Sequence, residues 1–173
     1  DLSEEQRLLE STLDGFLEAE FPVASVREFY DGDADLDPGL WKGLAEMGVL
    51  GLHLPETYGG AGLALLDLQC AAERFGYHAT PGPFLGHALA GLAIALAGNE
   101  AQRERWLPRL ASGEVIGSVA IAEADNRWQP EEWNQTLNDD GTLTSSKPHV
   151  LGGRSADLLV VGLASSELGI VDA

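Results

Sequence analysis

The strongest constraint on this chain is a change of periodicity near Ser112-Gly113. Upstream, apolar residues recur at the three- and four-residue spacing of helix faces, and each run is bounded by a cap or a breaker. Downstream the apolar runs shorten to VIGSVAIAE, WNQTL, TLTSS, HVLGG and DLLVVGLA, all β-like. Helices first and strands afterwards is the order of an α+β fold; it lacks the strand–helix alternation of a doubly wound one. Residues 1–112 are therefore expected to form a helical domain and residues 113–173 an antiparallel β-domain. The final strand-like run, LGIVDA, reaches the last residue, so the sheet is expected to be incomplete and the chain part of a longer protein.

Within the helical part, Ser3 and Gln6 have the spacing of a capping box and open a helix over Glu4–Glu20. Pro22 starts a short helix reaching about Tyr30, and Asp37-Pro38 caps the next, which Gly48 stops. A helix is expected from about Ala64 to Gly76, and another from Pro83 to Ala97 that is apolar nearly all round, as in a buried central helix. Asn99 caps a further helix through Arg105, with Pro108 expected to interrupt its continuation. Asp139-Asp140-Gly141 reads as a hairpin turn.

Charge and composition then narrow the function. There are 28 acidic and 10 basic residues, a net charge of -18, so the basic footprint of a nucleic-acid binder is missing and an anionic membrane surface is disfavoured. The apolar stretch over residues 84–97 is too short and too interrupted to span a bilayer. A single cysteine, Cys70, leaves no intramolecular disulfide and no Cys-based metal site; a cytoplasmic location fits. DGDADLD resembles a calcium loop only at its start, since the required sixth-position Gly and twelfth-position Glu are Leu36 and Lys42. His53, His78, His87 and His149 form no local metal pattern, and no metal site is expected. His87 on an apolar helix reads as a core residue, and Cys70 as a small buried hydrophobe. YGGAG is not followed by Lys-Ser or Lys-Thr; it reads as a tight turn requiring positive φ.

Three blocks, in order, resemble the acyl-CoA dehydrogenase family. They are LWKGLAEMGVLGLHLPETYGGAGL, GNEAQRERWLPRLASGEVIGSVAIAE and DGTLTSSKPHVLGGRSADLLVV, with Lys147, Gly153, Ala156 and Asp157 in register in the third. The resemblance implies a helical N-terminal domain, a middle β-domain, and a C-terminal four-helix domain that is not in this chain. It implies FAD between the β-domain and the helices, an acyl-CoA substrate, and electron-transfer flavoprotein as acceptor. The family's base is a glutamate of the C-terminal domain, so no catalytic residue is assigned here.

For the flavin, the resemblance points to two segments. The first ends the strand in VAIAEADNRWQPEE and gives Ala120, Ile121, Ala122 and Glu123; the second, after Lys147-Pro148, gives His149, Val150 and Leu151. Arg127 and Trp128 stand where the family carries a Gly-Ser-Asp turn and are assigned to substrate. Ala122 replaces a hydroxyl, Ala124 a proline and Leu151 a second hydroxyl. Each unmade hydrogen bond to a buried flavin atom costs about 1–3 kcal/mol. Backbone contacts at Ile121 and Val150 do not depend on side chain and survive. The chain thus resembles the degraded partner in the heterotetrameric acyl-CoA dehydrogenases of bacterial steroid side-chain breakdown. A homotetramer is the other assembly the family allows. The alternative function is a structural or acyl-CoA-binding subunit of the same fold.

Overall fold

The computed structural model describes residues 2–173. Among these described residues six α-helices come first: α1 (Glu4–Glu20), α2 (Val23–Asp31), α3 (Pro38–Glu46), α4 (Leu65–Tyr77), α5 (Phe84–Ala97) and α6 (Glu100–Ala111). Three strands follow: β1 (Gly117–Ala120), β2 (Leu158–Leu163) and β3 (Glu167–Asp172). The local signals explain the helix ends. Ser3 accepts from Gln6 N while Gln6 Oε1 accepts from Ser3 N, Asp37 accepts from Leu40 N at 2.8 Å, and Asn99 and Gln102 form the same reciprocal pair at α6. At α4 the first-turn carboxylate of Asp67 accepts from Ala64 N and also from the Gln6 amide, which ties α4 to α1. Asp14 of α1 strengthens that contact by meeting His78 at 2.8 Å and Arg74 at 3.5 Å.

Pro108 does not interrupt α6, contrary to expectation. Its missing N–H leaves only the Glu104 carbonyl without a partner, and Glu104 lies on the exposed side of the helix. Trp106, Leu107, Leu110 and Ala111 are all buried, so packing on both sides of the proline keeps the helix whole. The glycine turn behaves as expected. Gly59 and Gly62 have φ of 83° and 63°, and a Cβ at Gly60 would lie 2.1 Å from the Leu54 carbonyl oxygen.

The helix-then-sheet order stands, but the sheet differs in detail. It has the order β1-β2-β3, with β1 and β2 parallel and only β2 and β3 antiparallel. A parallel pair needs a long crossover, which here is the whole of residues 121–157. WNQTL, TLTSS and HVLGG fall in that crossover and form no strands. Asp139-Asp140-Gly141 does turn, with Gly141 N donating to Asn138 O and Asn138 N to Thr142 O. No ladder grows from it, because β propensity needs a pleated neighbour to pack against. The true hairpin lies between β2 and β3, where Ser165 and Ser166 both have positive φ, 64° and 60°.

Helices and sheet share one interior. Leu13, Leu17, Leu44, Leu50 and Phe75 bury with Ile116; Leu54, Ala90, Ile94, Leu107 and Leu110 bury with Leu158 and Val160. Trp41 Nε1 donates to Gly113 O at 3.1 Å across the point where periodicity changes. α5 lies directly on β1: a Cβ at Gly117 would meet the Ala90 Cβ at 2.8 Å. His87, 1% exposed, is a core residue as expected. Its Nδ1 accepts from Gly117 N at 3.3 Å, and Nε2 donates to Leu110 O at 3.1 Å. One accepting and one donating nitrogen define a neutral ring, and burial pushes its pKa down to about 4.

Candidate functional site

The end of β1 decides what a ligand can reach. Leu158 N donates to Ile116 O, which sets the phase of the parallel ladder. Ser118 and Ala120 therefore spend their amides on β2, and the amides of Gly117, Val119 and Ile121 point out from the sheet edge. His87 takes the first of these. Neither Val119 N nor Ile121 N has a backbone partner outside the ladder, and both residues line the space beside Leu89 of α5.

That space is a cleft of about 290 Å³. Leu89 of α5, Val119, Ile121 and Ala122 make an aliphatic wall; Trp128, His149 and Leu151 make the other side. The Trp128 and His149 rings lie nearly parallel, 20° apart with centroids at 5.9 Å. Both rings line the cleft, so this side of it is aromatic. Both side chains are exposed, Trp128 by 45%. His149 reaches its place through a left-handed backbone, φ 58°, and the loop before Trp128 turns on consecutive left-handed residues, Asp125 and Asn126.

The structure thus brings together four of the seven residues assigned to flavin, Ile121, Ala122, His149 and Leu151, with Trp128 of the two assigned to substrate. The others are placed differently. Ala120 is 1% exposed and packs with Val161 and Leu163, and Val150 packs against the same cluster, so both side chains serve the core. Arg127 turns its guanidinium back to Ala124 O, and its carbonyl accepts from Glu123 N at 2.9 Å. Glu123 faces inward, 2% exposed.

Glu123 and Lys147 carry the site's main electrostatic feature. Lys147 Nζ donates to Glu123 Oε1, and the two side chains are 5% and 2% exposed. Asn134 N donates to the same carboxylate at 3.1 Å, and the Gln135 amide to its other oxygen. Burial by itself raises the Glu123 pKa; the Lys147 ammonium and these donors more than reverse it and hold the carboxyl below its ordinary range. Sequence reasoning placed Glu123 on a flavin segment and Lys147 only in register; it missed the pairing. No local signal marked it, since Asp125, Arg127, Glu131 and Glu132 follow Glu123 closely and 24 residues separate it from Lys147. Leu89 and Val119 were also missed as cleft residues, since nothing local distinguishes one leucine of an apolar helix from another.

Among the described residues no cluster of His, Cys, Asp and Glu is arranged to hold a metal, and no helix is long and apolar enough to cross a membrane.

Residues 3–114 match the model of the acyl-CoA dehydrogenase, N-terminal domain. Acyl-CoA dehydrogenase IpdE2 of Mycolicibacterium smegmatis is 36% identical over 119 residues, 68% of this chain and 37% of the relative. The solved Tcur3481-Tcur3483 steroid ACAD superposes with a TM-score of 0.87 at 30% identity, over 98% of this chain and 48% of that one. An acyl-CoA dehydrogenase from Bacillus anthracis, solved complexed with FAD, gives a TM-score of 0.82 at 28% identity, over 99% of this chain and 32% of that one. This chain spans 32% to 48% of the length of these relatives.

Proposed function

This chain belongs to the acyl-CoA dehydrogenase family, and we propose that it is the subunit with degraded flavin segments in a heteromeric, flavin-dependent acyl-CoA dehydrogenase. The observation that carries this reading is the cleft itself. It stands at the two segments that the resemblance assigns to flavin, and its side-chain lining is carbon apart from three ring nitrogens, one of Trp128 and two of His149. Those nitrogens lie in the planes of the Trp128 and His149 rings, which stack on each other. Ser118 Oγ, beside the cleft, already donates to Leu151 O at 2.6 Å.

The flat faces of a flavin suit such a bed; its hydrogen-bonding edge does not. FAD therefore does not fit this cleft as a self-sufficient site, and no catalytic step is assigned to it in this chain. What the chain contributes is an apolar wall, outward amides at Val119 and Ile121, and an aromatic face that shields a ligand from water. A second subunit of the same family supplies the polar partners for FAD and the carboxylate base. In the assembled enzyme, α,β-desaturation of an acyl-CoA thioester proceeds at the completed site, and electron-transfer flavoprotein takes the electrons. The name of the Tcur3481-Tcur3483 steroid ACAD joins two chains, which supports the heteromeric form and a steroid-type acyl group. A cytoplasmic location accords with a buried, unpaired Cys70.

Purification alone and with an intact family subunit is the test. The chain alone should be colourless, and the co-purified pair should retain flavin and desaturate an acyl-CoA. Stoichiometric FAD and turnover from the chain alone overturn the reading. The carbon lining also supports a second reading, a non-catalytic acyl-CoA-binding subunit. Calorimetric binding of acyl-CoA, without turnover in any reconstituted pair, would select it.

A further inference from the structure

The Glu123–Lys147 pair joins the two chain segments that build the cleft. Glu123 directly follows Ala122 of the aliphatic wall, and Lys147 stands two residues before His149 of the aromatic face. Glu123 also gathers its own loop. Its backbone N–H closes on Arg127 O, the residue before Trp128, and its carboxylate accepts from Asn134 N and Gln135 Nε2. Gln135 in turn accepts from Ala164 N at 2.8 Å, which anchors that loop to the end of β2. Trp133 lies over Gly162, where a Cβ would approach its ring to 2.6 Å. Residues 133–152 form no strand, and the other side-chain tie on the His149 segment is Ser118 Oγ donating to Leu151 O at 2.6 Å.

A buried ion pair contributes little stability beyond what a well-packed apolar pair gives, but its directional hydrogen bonds specify one arrangement. We infer that the Glu123–Lys147 pair is a positioning device: it fixes the segment carrying Trp128 against the segment carrying His149 and so sets the aromatic face a ligand meets. This rests on the reading of the cleft as the ligand site, but its test needs no ligand and no partner subunit.

The 173-residue chain is labelled with 5-fluorotryptophan, and Trp128→Phe assigns the Trp128 resonance by fluorine NMR. Lys147→Met should move that resonance toward the position of free 5-fluorotryptophan while Trp41 and Trp106 stay in place. Lys147→Arg, which keeps the charge and its donors, should return most of the shift. Glu123→Gln with Lys147→Met removes both charges and leaves none unpaired; it should move Trp128 as Lys147→Met does. That double variant carries the test if the single one unfolds. An unmoved Trp128 resonance in the folded double variant overturns the inference, as does an equal movement of Trp41 and Trp106, which would mean general loosening. Failure to assemble a flavin-loaded pair bears on the proposed function alone and leaves these shifts as they are.

Discussion

Lys147 and Glu123 meet across 24 residues of sequence with both side chains out of water. A charge left alone in such a place has neither solvent nor partner. Lys147→Met strands the Glu123 carboxylate and should destabilise the chain by about 3–5 kcal/mol in urea unfolding at neutral pH. Glu123→Gln with Lys147→Met strands no charge and should fall much closer to the parent.

The pair also sets an acid limit. Glu123 titrates below its ordinary value of 4.5 in the folded chain. Its contribution is therefore present above the unfolded value and is lost as pH falls through the lower folded one. Unfolding free energy measured below pH about 4.5 should fall more steeply for the parent than for the doubly neutral variant.

His87 acts at higher pH. Its value is lowered from 6.5 to about 4, so the unfolded chain binds a proton that the folded chain refuses. Stability should be whole above the unfolded value and decline as pH falls from 6.5 toward 4, by roughly 3 kcal/mol across the window. His87→Gln keeps one donor and one acceptor and should flatten that part of the profile. An equal decline in this variant would assign it to other groups.

Gly86 carries the cleft on its back. A Cβ there would stand 2.6 Å from Leu151 O and 2.7 Å from Ser118 Oγ. Gly86→Ala should cost about 1–3 kcal/mol by overpacking. It should also displace the Leu151 segment, visible as altered amide shifts at residues 149–152, while α1 and α3 keep theirs.

Leu151→Thr places a hydroxyl beside a cleft that has none. One net hydrogen bond is worth about 1 kcal/mol, so FAD affinity of the isolated chain should rise about fivefold. Quenching of flavin fluorescence on titration reads this directly; unchanged affinity would mean that Leu151 does not face the flavin edge.

The helical half of the fold was legible because its signals are local. Ser3 with Gln6, Asp37 with Leu40, and Asn99 with Gln102 bond within one turn, so sequence spacing is already spatial spacing. Pro108 misled because the rule against proline in a helix weighs one backbone bond, while the buried neighbours Leu107 and Leu110 weigh more. At the site, Ile121, Ala122, His149 and Leu151 were placed by family resemblance and do meet in one cleft. Ala120, between Val119 and Ile121 of the cleft, turns to the core because successive residues of a strand point to opposite sides, and Val150 packs against the same cluster.

By itself, then, the sequence determined the helices, their caps, the glycine turn at Gly59–Gly62 and the order of helical and β parts. Each depends on backbone chemistry within a few residues. Tertiary structure alone decided the parallel pairing of β1 with β2, the absence of strands across residues 133–152, the Trp128–His149 stack and the Glu123–Lys147 pair. These depend on which distant segments exclude water together, and a strand or a buried charge has no stable state until its partner arrives.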